Sequence, residues 1–221
     1  MYSISRNLFL LAAAKRLPEF QKDFALRLSA FLSGSDQRDL YSFHEDICAK
    51  KVSIVVTESL IKAELIDDEK YEVTLPDNLT ETIGICEIKN ILRLIADCYC
   101  DILPLGSVVD LKKEFLKMVF DEDKIENIRL IITQRFAYED GMDSYFTYGA
   151  VAYPFGALIA KRVLYFTPPL IEHVVYRGYS DQQEETFVGI VKNELIVNRG
   201  LLSAGFSTSS EFFTVMRGEK L

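Results

Sequence analysis

The spacing of apolar residues changes near Asp101, and this change limits the fold to a helix-rich half followed by a strand-rich half. Before Asp101 the apolar residues mostly recur at steps of three and four, the period of a helix with one buried face. After it they fall in short alternating runs broken by Pro, Gly and polar residues, the period of strands. The predicted class is α+β: a helix-rich domain over residues 1–101, then an α+β domain over residues 102–221. The second is expected to be a small twisted antiparallel sheet or open barrel closed by a helix. No low-complexity linker separates them, so tight packing of the halves is expected.

In the first half, Ile4 to Arg16 reads as a helix, and Pro18 suits the first turn of a second one. Phe20, Phe24, Leu28, Phe31 and Leu32 then share one face, expected to be core, and Ser33-Gly34-Ser35 ends the helix. Val52 to Ile66 carries two patterns. Val52, Ile54 and Val56 alternate like a strand, whereas Leu60, Ile61, Ala63, Leu65 and Ile66 look helical. Tyr71 to Leu75 is a short strand stopped by Pro76-Asp77-Asn78. From Glu81 to Cys100, residues Ile85, Ile88, Ile91, Leu92, Ile95, Ala96 and Tyr99 form a helical face.

In the second half, Gly106 to Leu111 alternates as a strand, and Phe115 to Ile128 is an acidic loop or short helix containing Asp121-Glu122-Asp123. Arg129 to Phe136 is rich in β-formers, Glu139 to Asp143 is a polar turn, and Tyr145 to Tyr153 returns as the other arm of a hairpin. Pro154-Phe155-Gly156 turns the chain again. Lys161 to Thr167 and Ile171 to Tyr176 are two further strands, divided at Pro168-Pro169 where no ladder hydrogen bond can form. Ser180 stands three residues before Gln183 and is expected to cap a helix with Asp181, Glu184 and Glu185 at its start. Phe187, Ile190, Val191 and Leu195 give that helix an apolar face for the sheet. Phe212-Phe213-Thr214-Val215-Met216 is too apolar to be left in water without a partner.

Composition bears on what such a fold can bind. With 221 residues, 49% of them apolar, the chain can bury a real core. Acids outnumber bases 33 to 25, giving a net charge of -8. Phosphate binding draws its affinity from Lys and Arg, so this balance argues against nucleic acid and against an anionic membrane surface. A basic or polar protein partner fits, although solubility alone produces the same charge. Cys48, Cys86, Cys98 and Cys100 make no C-x-x-C pair, and only His44 and His173 could complete a metal site, so no metal or cofactor is assigned. Cys98 and Cys100 are expected in the core, and four reduced thiols suit a reducing compartment. The apolar run Leu8 to Ala14 is short for a signal-peptide core, and Lys15-Arg16 follow it directly. No segment approaches the roughly 18 apolar residues of a membrane span. The expected location is the cytoplasm.

Catalytic patterns are lacking. There is no G-x-S-x-G elbow, and Gly200 to Gly205 lacks the Lys-Ser/Thr pair of a phosphate loop. His44, in Phe43-His44-Glu45-Asp46, reads as part of an exposed helical start, and Asp67-Asp68-Glu69 as a solvated turn. No catalytic residue is assigned, and a binding protein rather than an enzyme is expected.

Three short motifs occur in fixed order: Leu103-Pro104-Leu105-Gly106-Ser107-Val108-Val109, Tyr153-Pro154-Phe155-Gly156, and Tyr176-Arg177-Gly178-Tyr179-Ser180-Asp181 before an acidic run. Their Pro and Gly residues suit turns, and Gly178 suits relief of crowding before the last helix. Over about residues 102 to 195 they resemble a small family of Gram-positive domains of unknown function. That family is encoded beside type VII secretion effectors, toxins of the LXG type, and its members read L-P-I-G-S-V-V, Y-P-E-G and F-x-G-Y-x-D-E-x-E. The resemblance implies a cytoplasmic accessory factor that holds or pilots a toxin effector before export, or an immunity protein that neutralises it. Phe155 stands where the family usually has an acid. Tyr148, Tyr153, Phe155, Tyr165, Tyr176 and Tyr179 concentrate aromatics here, some for the core and others for a surface. Tyr153, Phe155, Tyr176 and Tyr179 are assigned to protein binding, because Tyr couples a large contact area to a low entropy cost. Phe155, at a turn tip, has two possible places, against the N-terminal half or on a partner, and the first is preferred. The stoichiometry is left open.

Overall fold

Ile88, Ile91, Leu92, Leu94, Ile95, Ala96, Asp97 and Cys98 are all buried along one helix, which must therefore be covered on more than one side. The computed structural model describes residues 6–33, 36–119, 128–138, 144–156 and 163–204. The readings that involve Ile4, Gly34, Ser35, Asp121 to Asp123, Glu139 to Asp143, Lys161, Gly205 and Phe212 to Met216 lie outside the described residues. The fold is α+β with antiparallel sheets, as the two periods predict. It divides into two compact units between residues 100 and 101, with Lys192–Gly200 belonging to the first.

The first unit begins with α1 (Arg6–Ala14), α2 (Glu19–Leu32) and α3 (Gln37–Cys48). The four-stranded meander β1 (Ser53–Val56), β2 (Ile61–Asp67), β3 (Lys70–Thr74) and β4 (Thr80–Gly84) follows, then α4 (Ile85–Tyr99). All three pairings are antiparallel. One face of the sheet buries Ile54, Val56, Ile61, Ala63, Tyr71, Val73 and Ile83, while Val55, Lys62, Glu64 and Glu72 stay exposed. α1, α2 and α3 all pack on α4, which explains its broad buried surface. Asp36 caps α3 by accepting the Arg38 N–H at 2.9 Å. At the start of α4, the Glu87 carboxylate accepts the Gly84 N–H at 3.0 Å and the Gln21 amide at 2.8 Å. The chain returns to this unit at Lys192, whose buried amine donates to the Cys100 carbonyl at 2.8 Å. Burial lowers the pKa of that amine, and Asp97 opposes the shift.

Several expectations for this half are corrected. The helical spacing over Leu60 to Ile66 is misleading, because β2 is a strand whose Ile61 and Ala63 are buried. Leu60, in a turn at φ 55°, and Ile66 are exposed apolar residues that complete the false period. Glu81 to Gly84 lies in β4, so the helix starts at Ile85. On α2, Phe20 is exposed, while Gln21, Ala25 and Ser29 join Phe24, Leu28 and Leu32 inside. His44 is buried near the C-terminal end of α3 rather than exposed at a helix start.

The second unit carries β5 (Val108–Leu111), α5 (Lys113–Val119), the long hairpin β6 (Arg129–Ala137) and β7 (Ser144–Tyr153), β8 (Leu164–Phe166), β9 (Ile171–Tyr176), α6 (Gln182–Lys192, its last residue in the first unit) and β10 (Leu202–Ser203). A 3-10 turn, Pro168–Leu170, separates β8 from β9 at the two prolines. Among the described residues the sheet order is β10-β7-β6-β5-β9, with β8 sharing the outer edge of β7 with β10. The pairing of β10 with β7 is parallel, and no sequence pattern announced it. Val109, Leu111, Phe115, Leu116, Leu130, Ile132, Phe146, Tyr148, Ala150 and Phe166 form the core. Two expectations fail at α6. Asp181, not Ser180, caps it, accepting the Glu184 N–H at 2.9 Å. Ile190 is exposed rather than turned to the sheet, and Phe187, half exposed, meets the sheet at Arg135 of β6. Among the described residues no helix is long and apolar enough to cross a membrane.

Candidate binding surface

The first and third motifs meet through one hydroxyl. Ser107 is fully buried; its Oγ donates to the Pro104 carbonyl at 2.7 Å and accepts the Gly178 N–H at 2.9 Å. The Gly106 N–H donates to the Ile132 carbonyl at 2.8 Å, and the Ile132 N–H to the Ser107 carbonyl at 2.9 Å, tying the turn to β6. Gly106 makes that turn at φ 78°, a left-handed conformation that disfavours a side chain. At Gly178 the constraint is space, because a Cβ there would lie 2.2 Å from the Leu105 carbonyl oxygen. The Leu103 N–H donates to the buried Tyr148 hydroxyl at 2.9 Å. Gly156 passes the second motif's turn at φ 58°.

The six aromatics sort into core and surface. Tyr148 is buried with its ring 5.5 Å from Phe166. Tyr165 is half-buried, 5.7 Å from Phe146. The four residues assigned to binding are all exposed: Tyr153 47%, Phe155 52%, Tyr176 61% and Tyr179 79%. They do not form one patch. Tyr153 ends β7 and Phe155 sits on the following turn, whereas Tyr176 ends β9 and Tyr179 follows it. β6 and β5 lie between those strands, which at about 4.8 Å per step separates the pairs by about 14 Å.

Around Tyr176 the surface is more apolar. Val174, Val175 and, in the first motif, Leu105 are exposed. Val174, Val175 and Tyr176 are consecutive and all exposed, so this end of β9 is uncovered. Among the described residues β9 pairs only with β5. Two register shifts interrupt that pairing, and such bulges blunt an edge against open-ended strand addition. The surface thus offers side chains more readily than a regular backbone edge.

The sequence reading missed the fixing of α6. Arg135, nearly buried on β6, forms a two-pronged ion pair with Glu184, with Nη2 to Oε2 at 3.2 Å, and lies 5.4 Å above the Phe187 ring. The acid that looked like a helix-dipole residue has a specific partner 49 positions away. No local signal could have found it.

In the first unit, His44 Nδ1 is 3.5 Å from Cys48 Sγ. Burial, with Lys89 and Arg93 adding to it, pushes the imidazole down to about 3. It stays neutral near pH 7, whereas an imidazolium beside a thiolate is what activates cysteine nucleophiles. Among the described residues, no group of three or more His, Cys, Asp or Glu is placed to hold a metal ion.

The three motifs, their clasp and the exposed tyrosines all lie in a stretch that one family model matches. A family model described as a domain of unknown function (DUF4176) matches residues 102–187. No curated protein matches the chain, and no solved structure does. The DUF4176 match covers the sheet from β5 to β9 and reaches into α6. Its glycines and Ser107 have structural work in this fold, so the motifs by themselves mark the frame rather than a reaction.

Proposed function

We propose that the protein is a cytoplasmic accessory factor, a chaperone or targeting adaptor, that binds an LXG-type toxin effector of a type VII secretion system. The observation that carries the binding role is the exposure of Tyr176 and Tyr179 beside Val174, Val175 and Leu105 on a well-packed sheet. Aromatic anchors on a rigid frame contribute most of the energy in many interfaces. The net charge of -8 favours encounter with a basic surface. The type VII setting rests on the resemblance of the three motifs, which fall inside the DUF4176 match.

The test is capture of the effector of the same locus, with its helical targeting half and its toxic half produced separately. The helical half should be retained. Tyr176→Ala and Tyr179→Ala should each weaken retention by about thirtyfold, the loss of an anchor worth roughly 2 kcal/mol, with little change in melting temperature. Retention of the toxic half alone would favour the immunity reading. Retention of neither half overturns the assignment.

A further inference from the structure

We propose that Ser107 is the positioning residue of the Tyr176–Tyr179 segment, an inference that rests on the docking role given above. Between the end of β9 and the start of α6 the chain runs from Arg177 to Asp181 in neither strand nor helix. Tyr179, 79% exposed, gains little orientation from packing, so its direction is set by its backbone. That backbone is held at Gly178, whose N–H reaches the Ser107 hydroxyl.

The polarity of the clasp is fixed by chemistry. A serine hydroxyl has one proton, here given to the Pro104 carbonyl, so only its lone pairs remain for the Gly178 N–H. Threonine, cysteine and alanine each differ from serine at a site with no exposed surface: extra volume, a weaker and longer contact, or no bond at all. The close approach of Gly178 to Leu105 completes the lock, because any Cβ would push the segment away from the first motif. A segment ordered before binding loses less conformational freedom on docking. Ser107 thus acts on the partner through Tyr176 and Tyr179 without touching it.

The chain contains no Trp, so Tyr179→Trp installs a single Trp at the segment, which can be excited selectively over the tyrosines. Its time-resolved anisotropy reads local motion in the full-length protein without any partner. In that background Ser107→Ala and, as an independent break from the other side, Gly178→Ala should both raise the amplitude of the fast local component. Tyr148→Phe, which removes the Leu103 partner but leaves the clasp intact, should lower the melting temperature without loosening the reporter. With Tyr179 restored, Ser107→Ala should weaken capture of the intact effector by about tenfold. A reporter equally restrained in the Ser107 and Gly178 variants overturns the proposal, and so does loosening by Tyr148→Phe to the same degree. A loosened segment with unchanged capture also overturns it when Tyr179→Ala does weaken capture. If Tyr179→Ala leaves capture unchanged as well, the docking surface falls while the clasp stands.

Discussion

His44 occupies a place where a charged imidazole cannot be solvated. Its folded pKa of about 3 lies below the ordinary value of 6.5, so between these limits the unfolded chain binds the extra proton. The stabilisation is therefore complete above about pH 6.5 and is lost as the pH falls towards 3, by roughly a few kcal/mol in total. Urea denaturation from pH 7 to pH 4 should show this loss, and His44→Leu should flatten the slope relative to the parent. Equal slopes would mean that the imidazole is not desolvated. The thiols differ for the same reason. Burial, with Asp97 adding to it, raises Cys98 to about 12, whereas Cys86 is exposed. A thiol reagent at pH 8 should modify Cys86 in the native protein and Cys98 only after unfolding. The denatured protein should titrate four thiols, as no cysteine is joined to another in a disulfide.

At the scale of elements, α6 is held by a charge pair that is largely out of water. The Arg135 side chain is 5% exposed and that of Glu184 21%, so removing the acid strands a desolvated guanidinium. Glu184→Ala should cost about 2–4 kcal/mol in chemical denaturation, against less than about 0.5 kcal/mol for the exposed neighbour Glu185→Ala. Comparable losses at the two positions would show that the pair carries no net energy. Such long-range partners are what a period cannot reveal. β5, β6, β7 and β9 were legible because alternating runs were cut by Pro and Gly, and the break at Pro168-Pro169 appears as a 3-10 turn. The first sheet was half hidden, since the exposed Leu60 and Ile66 turned an alternating strand into an apparent helical stripe. β4 was hidden for the opposite reason: Ile83 alone among its residues is buried, which is too little for any period.

At the scale of the whole molecule, the α+β class followed from a change of period, but the surface followed from distances in three dimensions. The turn-forming role of Gly106 and Gly156 could be read locally, whereas the Ser107 bond to Gly178 spans 71 positions. The four surface aromatics were found by type, and their division into two pairs required the strand order. That division gives the decisive phenotype. The adaptor role proposed above requires that deleting the gene abolish secretion of the effector while its toxicity to the producer stays unchanged. Restoring the gene with Tyr176 and Tyr179 both changed to Ala should leave secretion abolished. Restoring it with Tyr153 and Phe155 both changed should rescue secretion, because those residues lie about 14 Å away across two strands. Rescue by the first variant and failure of the second would move the docking surface to the end of β7. Normal secretion after deletion, with protection of cells that make the toxic half alone, would replace the adaptor reading with immunity.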